Sequence, residues 1–376
     1  MLMLFAMSVF MGMGICVLAA EQTDTVKDLK AGDYEKIEAV IDDMTNSNDV
    51  SFEKIAEGLL AGDFTGALKN SAAYIFEKIA GELKFNKAVM AQIIGVAVLG
   101  AIFTNFSAAF ARKFVAETGF YLTYMVVFSL LAASFLSAVT IAERVVSQLI
   151  QLMKAIIPAF CLALTFSSGL VTSGAFYEIM MIAVVAADWL MAGFVMKFIN
   201  VYVVLAIVNS MTKEDYLSKT AELMGASIGW VLKTILAVTI GINMIQTMVL
   251  PAFDSIKNGV ITKAAASIPA LGNTLGMAAK AAIGSGVLLK NAVGTAGVIV
   301  IFIVCAMPLV KLLMIGLMCR FVEAVIQPVS DVRLTACLHV TGEGVFLLLK
   351  AAGTIILLFI LSLAMVTASS NMILSA

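Results

Sequence analysis

The sequence predicts an all-α, polytopic integral membrane protein with an internal repeat and broken or re-entrant helices, preceded by a small helical extracytoplasmic region. Of its 376 residues, 61% are apolar and 13% are charged. That charged share is about half the share of an ordinary soluble domain. A water-soluble core cannot hide so much apolar surface, so lipid is the expected solvent. This composition argues against soluble enzymes, nucleic-acid-binding proteins and disordered chains.

Residues 1–20 form one apolar run before the first acidic residue, Glu21. Val17, Leu18 and Ala19 have the small-residue pattern of a signal-peptidase site, so we expect cleavage after Ala19 or Ala20. No Lys or Arg precedes the run. An uncleaved N-terminal anchor therefore stays open as the alternative to a signal sequence.

Residues 21–87 form an acidic region with fourteen acidic and eight basic residues, whereas residues 88–376 are mildly basic. Apolar residues recur in this acidic region at the i, i+3, i+4, i+7 spacing of an amphipathic helix. We predict a helical extracytoplasmic region. Two interpretations stay open: a cap that rests on the membrane or on a partner, and a self-packed helical hairpin.

Residues 88–376 form the predicted membrane domain, which opens with clear spans at 88–111 and 119–141. Each is about 23 residues long, as about 30 Å of hydrocarbon requires. With residues 21–87 outside, Arg112 and Lys113 fall in the cytoplasm, in keeping with the positive-inside rule. Further apolar stretches cover residues 155–172, 175–211, 228–253, 293–318 and 345–368.

Two apolar stretches, 175–211 and 293–327, are too long for one simple span. Each is either two tight spans or one span with a re-entrant piece. The sequence therefore predicts six to nine spans.

The second half of the membrane domain resembles the first. Residues 219–233 align without gaps on residues 336–350, which places Lys233 on Lys350, and further upstream Pro158 matches Pro269. We predict repeat units of about 145–253 and 257–368. Paired repeats of this kind often build transporters and channels. Parallel and inverted topologies stay open, and the alternative to a repeat is chance similarity between apolar sequences.

Two segments rich in Gly and Ser, 167–175 and 272–286, look too broken for plain spans. Irregular backbone at membrane depth survives only inside protein or along a water-filled cavity. These segments therefore predict broken helices near a central cavity. Ordinary packing of helices through small residues is the alternative.

Motifs of catalysis are missing from the sequence. There is no Walker A loop and no HExxH motif, and the single histidine, His339, cannot build a metal site alone. The stretch from Gly225 to Gly229 matches GxSxG around Ser227, but it opens an apolar helix and not a strand–turn–helix unit. We expect no enzyme activity, no cofactor and no metal site.

Charged residues inside apolar stretches are costly in lipid and therefore informative. Arg320 and Glu323 stand three residues apart and can neutralise each other on one helix. The most telling residue is Asp188, for which two roles stay open: lining a cavity, and internal pairing with a lysine. Lys233 and Lys350 can snorkel to an interface. The candidate cavity or packing positions are Pro158, Asp188, Lys233, Pro269, Arg320, Glu323 and Lys350.

Several short motifs occur in a fixed order in the carboxy-terminal part of the chain. They are KNAVG at 290–294, IQP at 326–328 and ACL at 336–338, preceded by IIPAFCLALTFSSGLVTSG at 156–174. Together they resemble the stage III sporulation protein AE family of endospore-forming bacteria. The resemblance covers residues 88–376 and is weaker over residues 21–87.

This resemblance implies a multi-pass protein of the mother-cell membrane that surrounds the forespore. Its implied partners are other stage III A sporulation proteins, among them an ATPase homologue and ring-forming components, together with a forespore partner. The implied role is a channel or feeding tube that supports late forespore development. It carries over no catalytic residues, and nucleic acid is not an expected partner. A free-standing secondary transporter and a purely structural scaffold are the alternatives.

Overall fold

The computed structural model describes residues 33–45, 51–60, 113–168, 170–211, 216–266, 272–328 and 332–369, together with five isolated positions between residues 91 and 102. Every regular element among these residues is a helix, so the predicted all-α class is confirmed. Two short helices come first, α1 (Asp33–Thr45) and α2 (Phe52–Leu60). The long helices are α3 (Lys113–Ser168), α4 (Leu170–Leu190), α5 (Met196–Met211), α6 (Ser218–Ala266), α7 (Gly272–Ile326) and α8 (Val332–Ser369).

Five helical segments within the described residues are long and apolar enough to cross a membrane. They are Tyr124–Thr165, Thr172–Ser210, Ser218–Gln246, Gly284–Ile326 and Val332–Thr367. At 1.5 Å per residue the longest measures about 65 Å, roughly twice the thickness of a hydrocarbon core. The predicted span 88–111 lies almost wholly outside the described residues, so the count of six to nine spans stays a prediction.

A tight helical hairpin joins α3 to α4, because α3 ends at Ser168 and α4 begins at Leu170. The Ser173 hydroxyl of α4 donates to the Cys161 carbonyl of α3 at 2.6 Å, and Thr165 donates to Ser173 at 2.8 Å. The Phe160 and Phe176 rings pack with their centroids 5.8 Å apart. The helix is therefore broken within the segment 167–175, as predicted, and small hydroxyl side chains hydrogen-bond to each other across the break.

Three other predicted interruptions are wrong. Residues 272–286 are helical and form the start of α7, because isolated Gly and Ser residues do not by themselves break a helix. The stretch 119–141 and the part of the stretch 155–172 up to Ser168 belong to the single helix α3, which continues through Pro158. Residues 293–327 include no re-entrant piece, since α7 runs unbroken to Ile326.

One helical path also covers residues 175–211. It passes from α4 through a single π-helical turn, Met191–Val195, directly into α5. The N–H of Met196 donates to the Met191 carbonyl, five residues back, which is the hydrogen bond of a π-helix. The long stretch is therefore neither two tight spans nor a re-entrant loop.

Helices α6 and α8 run parallel and in register. A Cβ on Gly225 of α6 would lie 3.4 Å from the Tyr202 ring of α5, and Gly344 of α8 faces Val203, the next residue of α5. Eighteen residues further along both helices, the Asn243 amide donates to the Ser362 hydroxyl at 2.8 Å. These are the two helices that the proposed repeat aligns, although the repeat units themselves stay a prediction.

The short acidic helices pack on the long ones. Ile37 and Ile41 of α1 and Phe52 of α2 are fully buried in the same core as α3 and α7. Glu38 of α1 accepts hydrogen bonds from the Ser51 hydroxyl at 2.7 Å and from the Glu53 N–H at 3.0 Å, which ties the start of α2 to α1. Within the part of the acidic region that the structure describes, α1 and α2 therefore pack on the long helices of their own chain.

Candidate functional site: an ionic cluster between α7 and α8

Four charged or titratable side chains meet between α7 and α8. The Arg320 guanidinium pairs with Glu323 on its own helix, with Nη1 3.3 Å from Oε2, and with Glu343 of α8 through Nη2. The His339 Nδ1 lies 2.9 Å from Glu323 Oε1 and 2.6 Å from Arg320 Nη1. All four side chains are between 22% and 49% exposed. We call Arg320, Glu323, His339 and Glu343 the ionic cluster.

Helical spacing and two glycines place these groups together. Arg320 and Glu323 are three residues apart on α7, and His339 and Glu343 are four residues apart on α8, so each pair shares one helix face. A Cβ on Gly342 of α8 would lie 3.4 Å from the Cβ of Cys319 on α7. The missing side chain lets the two helices approach closely, which brings the Arg320 fork within reach of α8.

The chemistry of the ionic cluster depends on where the His339 proton lies. A bare Nδ1 accepts a hydrogen bond from Arg320, whereas a protonated Nδ1 donates one to Glu323. One nitrogen cannot do both at once, so the tautomer of His339 decides which of these contacts is a hydrogen bond.

The i, i+3 ion pair anticipated from the sequence for Arg320 and Glu323 is present, but its long-range partners were missed. Glu343 was not among the candidate residues, and His339 was considered only as a metal ligand that cannot form a site alone. Glu343 and His339 can be paired with Arg320 only when the antiparallel register of α7 and α8 is known. The spacing of charges along one helix does not give that register. The glycines of the TGEG stretch, Gly342 and Gly344, were the available signal of a close helix contact.

The remaining candidate residues lie elsewhere. Asp188 is half-buried at the edge of the inner face of α4, next to Trp189, which is 72% exposed. It forms no hydrogen bond or ion pair with any residue that the structure describes, so a cavity-lining role stays a prediction. Pro158 is exposed inside α3, and Lys233 and Lys350 are exposed on α6 and α8. Pro269 lies outside the described residues.

A buried lysine was missed by sequence reasoning. The side chain of Lys290 on α7 is fully buried, and its Nζ donates to the Thr367 carbonyl of α8 at 2.9 Å. Thr367 lies in the last turn of α8, where the carbonyls lack intrahelical partners and the helix dipole favours a cation. The signal was available, because no other charge occurs between Lys290 and Lys311.

Buried amides add to the polar interior. Asn243 is 2% exposed and Gln246 is 5% exposed, one turn apart on α6. Within the part of the chain that the structure describes, neither the Gln246 Oε1 nor its Nε2 has a hydrogen-bond partner. The interior of the bundle is therefore not uniformly apolar. It holds a lysine and amides of the kind that membrane helices carry where they line polar surfaces or specify packing.

Long apolar helices, paired charges at helix contacts and buried polar groups define this chain as a polytopic α-helical membrane protein. A family model described as Stage III sporulation protein AE matches residues 50–370. The chain belongs to the stage III sporulation protein AE family. It is 24% identical over 310 residues to Stage III sporulation protein AE of Bacillus subtilis (strain 168), covering 81% of this chain and 76% of that protein. No solved structure matches.

Proposed function

We propose that this chain is the membrane core of a stage III A sporulation channel between the mother cell and the forespore. In this role it sits in the mother-cell membrane around the forespore and supports late forespore development. Its partners are the other stage III A proteins, including the ATPase homologue and the ring-forming components, and a forespore protein. The observation that carries the proposal is membership of a sporulation family over residues 50–370.

The interior of the bundle supports this proposal. A channel core needs polar groups held inside a helical membrane protein, because lipid cannot solvate them. Lys290, Asn243 and Gln246 are such groups, and each is at least nine-tenths buried. The ionic cluster adds charged side chains that pair across the contact between α7 and α8. These features suit a conducting or gating core better than a passive anchor.

The experiment that tests this function is purification of the tagged chain from sporulating cells after engulfment. We expect the ring-forming components and the ATPase homologue to copurify, and deletion of the gene to stop development after engulfment. A chain that purifies alone, from cells in which its deletion leaves spore yield unchanged, would overturn the proposal. Protein abundance is measured in parallel, because degradation of a misfolded variant mimics loss of function.

A free-standing secondary transporter is the second candidate. The observation that favours it is the parallel, in-register pair α6 and α8, since helices related by a repeat form the substrate sites of many transporters. Ion or solute flux in proteoliposomes that contain only this chain separates the two candidates. Flux without partners favours the transporter, and flux that requires the other stage III A proteins favours the channel core.

A further inference from the structure

We propose that the interior of the bundle contains a binding site for a small oxyanion, either a carboxylate or a phosphate. Lys290 of α7 supplies a protonated amine that pairs with the anion, and Gln246 of α6 donates a hydrogen bond to it. This inference names what the chain binds by itself. It holds for a channel core and for a transporter, so it does not depend on the choice between those two functions.

Contacts between side chains place four helices at one level of the bundle. A Cβ on Gly294 of α7 would lie 3.0 Å from the Phe160 ring of α3 and would collide with the Thr367 hydroxyl of α8. Phe160 packs in turn on Phe176 of α4, with the ring centroids 5.8 Å apart. Helices α3, α4, α7 and α8 therefore meet at the level of Thr367.

Helix α6 reaches the same level. The Asn243 amide donates to the Ser362 hydroxyl at 2.8 Å. Ser362 lies five residues before Thr367 on α8, which is about 7.5 Å along the helix. Gln246 follows Asn243 by three residues, which is about 4.5 Å along the parallel helix α6. Gln246 therefore lies within about 3 Å of the level of Thr367.

Buried polar residues are concentrated near this level. Among the described residues, eight polar or charged side chains are buried, each no more than 6% exposed. Ser173 belongs to the level through its hydrogen bond to Cys161, and Lys290 through its hydrogen bond to Thr367. Of the eight, only Thr341 lies far away, 26 residues before Thr367 on α8. We call the other seven the polar layer: Thr172, Ser173, Asn243, Gln246, Lys290, Ser362 and Thr367.

Five helices enclose the polar layer. Helix α3 contacts α4 and α7, α6 contacts α4 and α8, and α7 contacts α8, which closes a ring. Thr367 lies two residues before the end of α8 at Ser369, so the layer is beside the end of this helix. A ligand can therefore approach the layer from that end of the bundle without passing along its whole length.

Several side chains of the polar layer already use their donors within the bundle. The hydroxyls of Ser173, Ser362 and Thr367 donate to backbone carbonyls at 2.6, 2.8 and 2.6 Å. Both amide hydrogens of Asn243 are used as well, one by the Thr239 carbonyl and one by Ser362. These four side chains therefore hold the helices together and offer no donor to a ligand.

The Gln246 amide, in contrast, has unused hydrogen-bonding capacity. Its side chain is 5% exposed, and neither Oε1 nor Nε2 has a hydrogen-bond partner among the described residues. The large majority of buried polar side-chain atoms in proteins are paired, so an orphaned amide indicates a partner outside the chain. An oxyanion with a hydroxyl, such as dihydrogen phosphate, accepts from Nε2 and donates to Oε1.

The Lys290 amine, when protonated, has more charge and more donors than the chain compensates. An ammonium carries three donor hydrogens, and the Thr367 carbonyl accepts one of them at 2.9 Å. The end of α8 contributes only about half of one negative charge. Helix α7 has no acidic residue before Glu323, and α8 has none after Glu343. An anion supplies both the charge and the acceptors that this amine lacks.

The chemistry of the two unsatisfied groups selects the class of ligand. Water can accept the remaining hydrogens of Lys290 but brings no charge, and burying an uncompensated charge is costly. A cation would be repelled by the protonated amine, and an apolar molecule would leave both Lys290 and Gln246 unpaired. An oxyanion is the ligand that satisfies a charged donor and an amide at one level.

The test is binding of two radiolabelled probes, inorganic phosphate and acetate, to the purified chain in dodecyl maltoside and sodium chloride at fixed ionic strength. We expect the wild type to bind both, and unlabelled oxyanion to displace them far better than an equal amount of added chloride. K290M should weaken binding about tenfold or more, because it removes charge-assisted hydrogen bonds. Q246L should weaken it about threefold to tenfold, because it removes one neutral donor.

K350M is the matched control, because it makes the same exchange at an exposed position of α8. It should bind both probes as the wild type does. Helical circular dichroism shows whether each variant is folded. In the same measurement, either oxyanion should raise the thermal unfolding midpoint of the wild type and of K350M, but not that of K290M.

Failure of the wild type to bind either probe would overturn the proposal, whether or not K290M folds. Equal binding by the wild type and K290M would overturn it as well, and so would displacement by chloride as effective as displacement by oxyanion. None of these outcomes bears on copurification with the other stage III A proteins. The oxyanion site and the channel proposal can therefore fail separately.

Discussion

Replacing Gly344 by Ala tests whether α8 is held by close approach to α3 and α5. A Cβ at this position would collide with the Val203 side chain and would lie 3.0 Å from the Phe135 ring. Val203 is fully buried and Phe135 is 5% exposed, so neither side chain has free space to move into. The added methyl group must displace packed neighbours, and such overpacking costs about 1–3 kcal/mol.

Gly353, nine residues further along α8, is the matched control. A Cβ there would meet nothing within 4 Å. An alanine in a helix interior is favoured over glycine by roughly 0.5–1 kcal/mol, and this gain applies to both positions. The gain cancels when G344A is compared with G353A. The difference between their free energies of unfolding therefore isolates the packing cost, about 1–3 kcal/mol.

The assay is unfolding of the purified protein in detergent micelles by titration with dodecyl sulfate, followed by loss of helical circular dichroism. G344A should unfold at a lower dodecyl sulfate fraction than wild type, and G353A at the same or a higher fraction. The double variant G344A/V203A should be less destabilised than the sum of its single variants, because the smaller residue makes room for the new methyl group. Equal stability of G344A and G353A would refute the close approach, and strict additivity would show that Val203 is not the residue struck.

Four further predictions concern charges and topology. A double-mutant cycle between R320Q and E343Q, in the same unfolding assay, should give a coupling energy of about 0.5–1 kcal/mol. The coupling is modest because both side chains are about one-third exposed and solvent screens the pair. Zero coupling would contradict the ion pair. Lys290→Met should leave the unfolding midpoint unchanged or raise it, because Met fills the same space without a buried amine. Lys290→Ala should lower the free energy of unfolding by about 2–4 kcal/mol, because it leaves a cavity. Equal effects of the two variants would show that burial of this side chain matters little. Asp188→Leu should reduce spore yield more than Glu53→Ala at equal protein abundance, and normal yield would remove the cavity-lining role of Asp188. A tag at position 50 should be labelled from outside intact protoplasts, and labelling only after lysis would invert the predicted topology.

The class of fold was readable from the sequence, but the continuity of α3 was not. A charged stretch around Glu143, Arg144 and Lys154 separates two apolar stretches. Because the prediction used only the length of the apolar stretches, it treated them as two separate spans. In the structure Ala142, Val145 and Leu149 form a fully buried face of the same helix, while the charges occupy the opposite face. The helical periodicity of the apolar residues within the charged stretch therefore indicates one continuous helix, which the average hydropathy of the stretch does not show.

Glycine was misread in the same way at the start of α7. The prediction treated the Gly and Ser residues of 272–286 as breaks, yet the helix continues through them. In the hairpin at 167–175 the same residue types do accompany a turn. Composition alone cannot distinguish these cases, because the same residue types occur in both segments.

Only part of the ionic cluster could be predicted from local sequence. The pairing of Arg320 with Glu323 follows from helical spacing within one segment. Its partners Glu343 and His339 are about twenty residues away in the sequence, across the α7–α8 turn, and reach Arg320 only because Gly342 allows close contact. Lys290 was missed for a different reason. Its environment is set by the end of α8, 77 residues away.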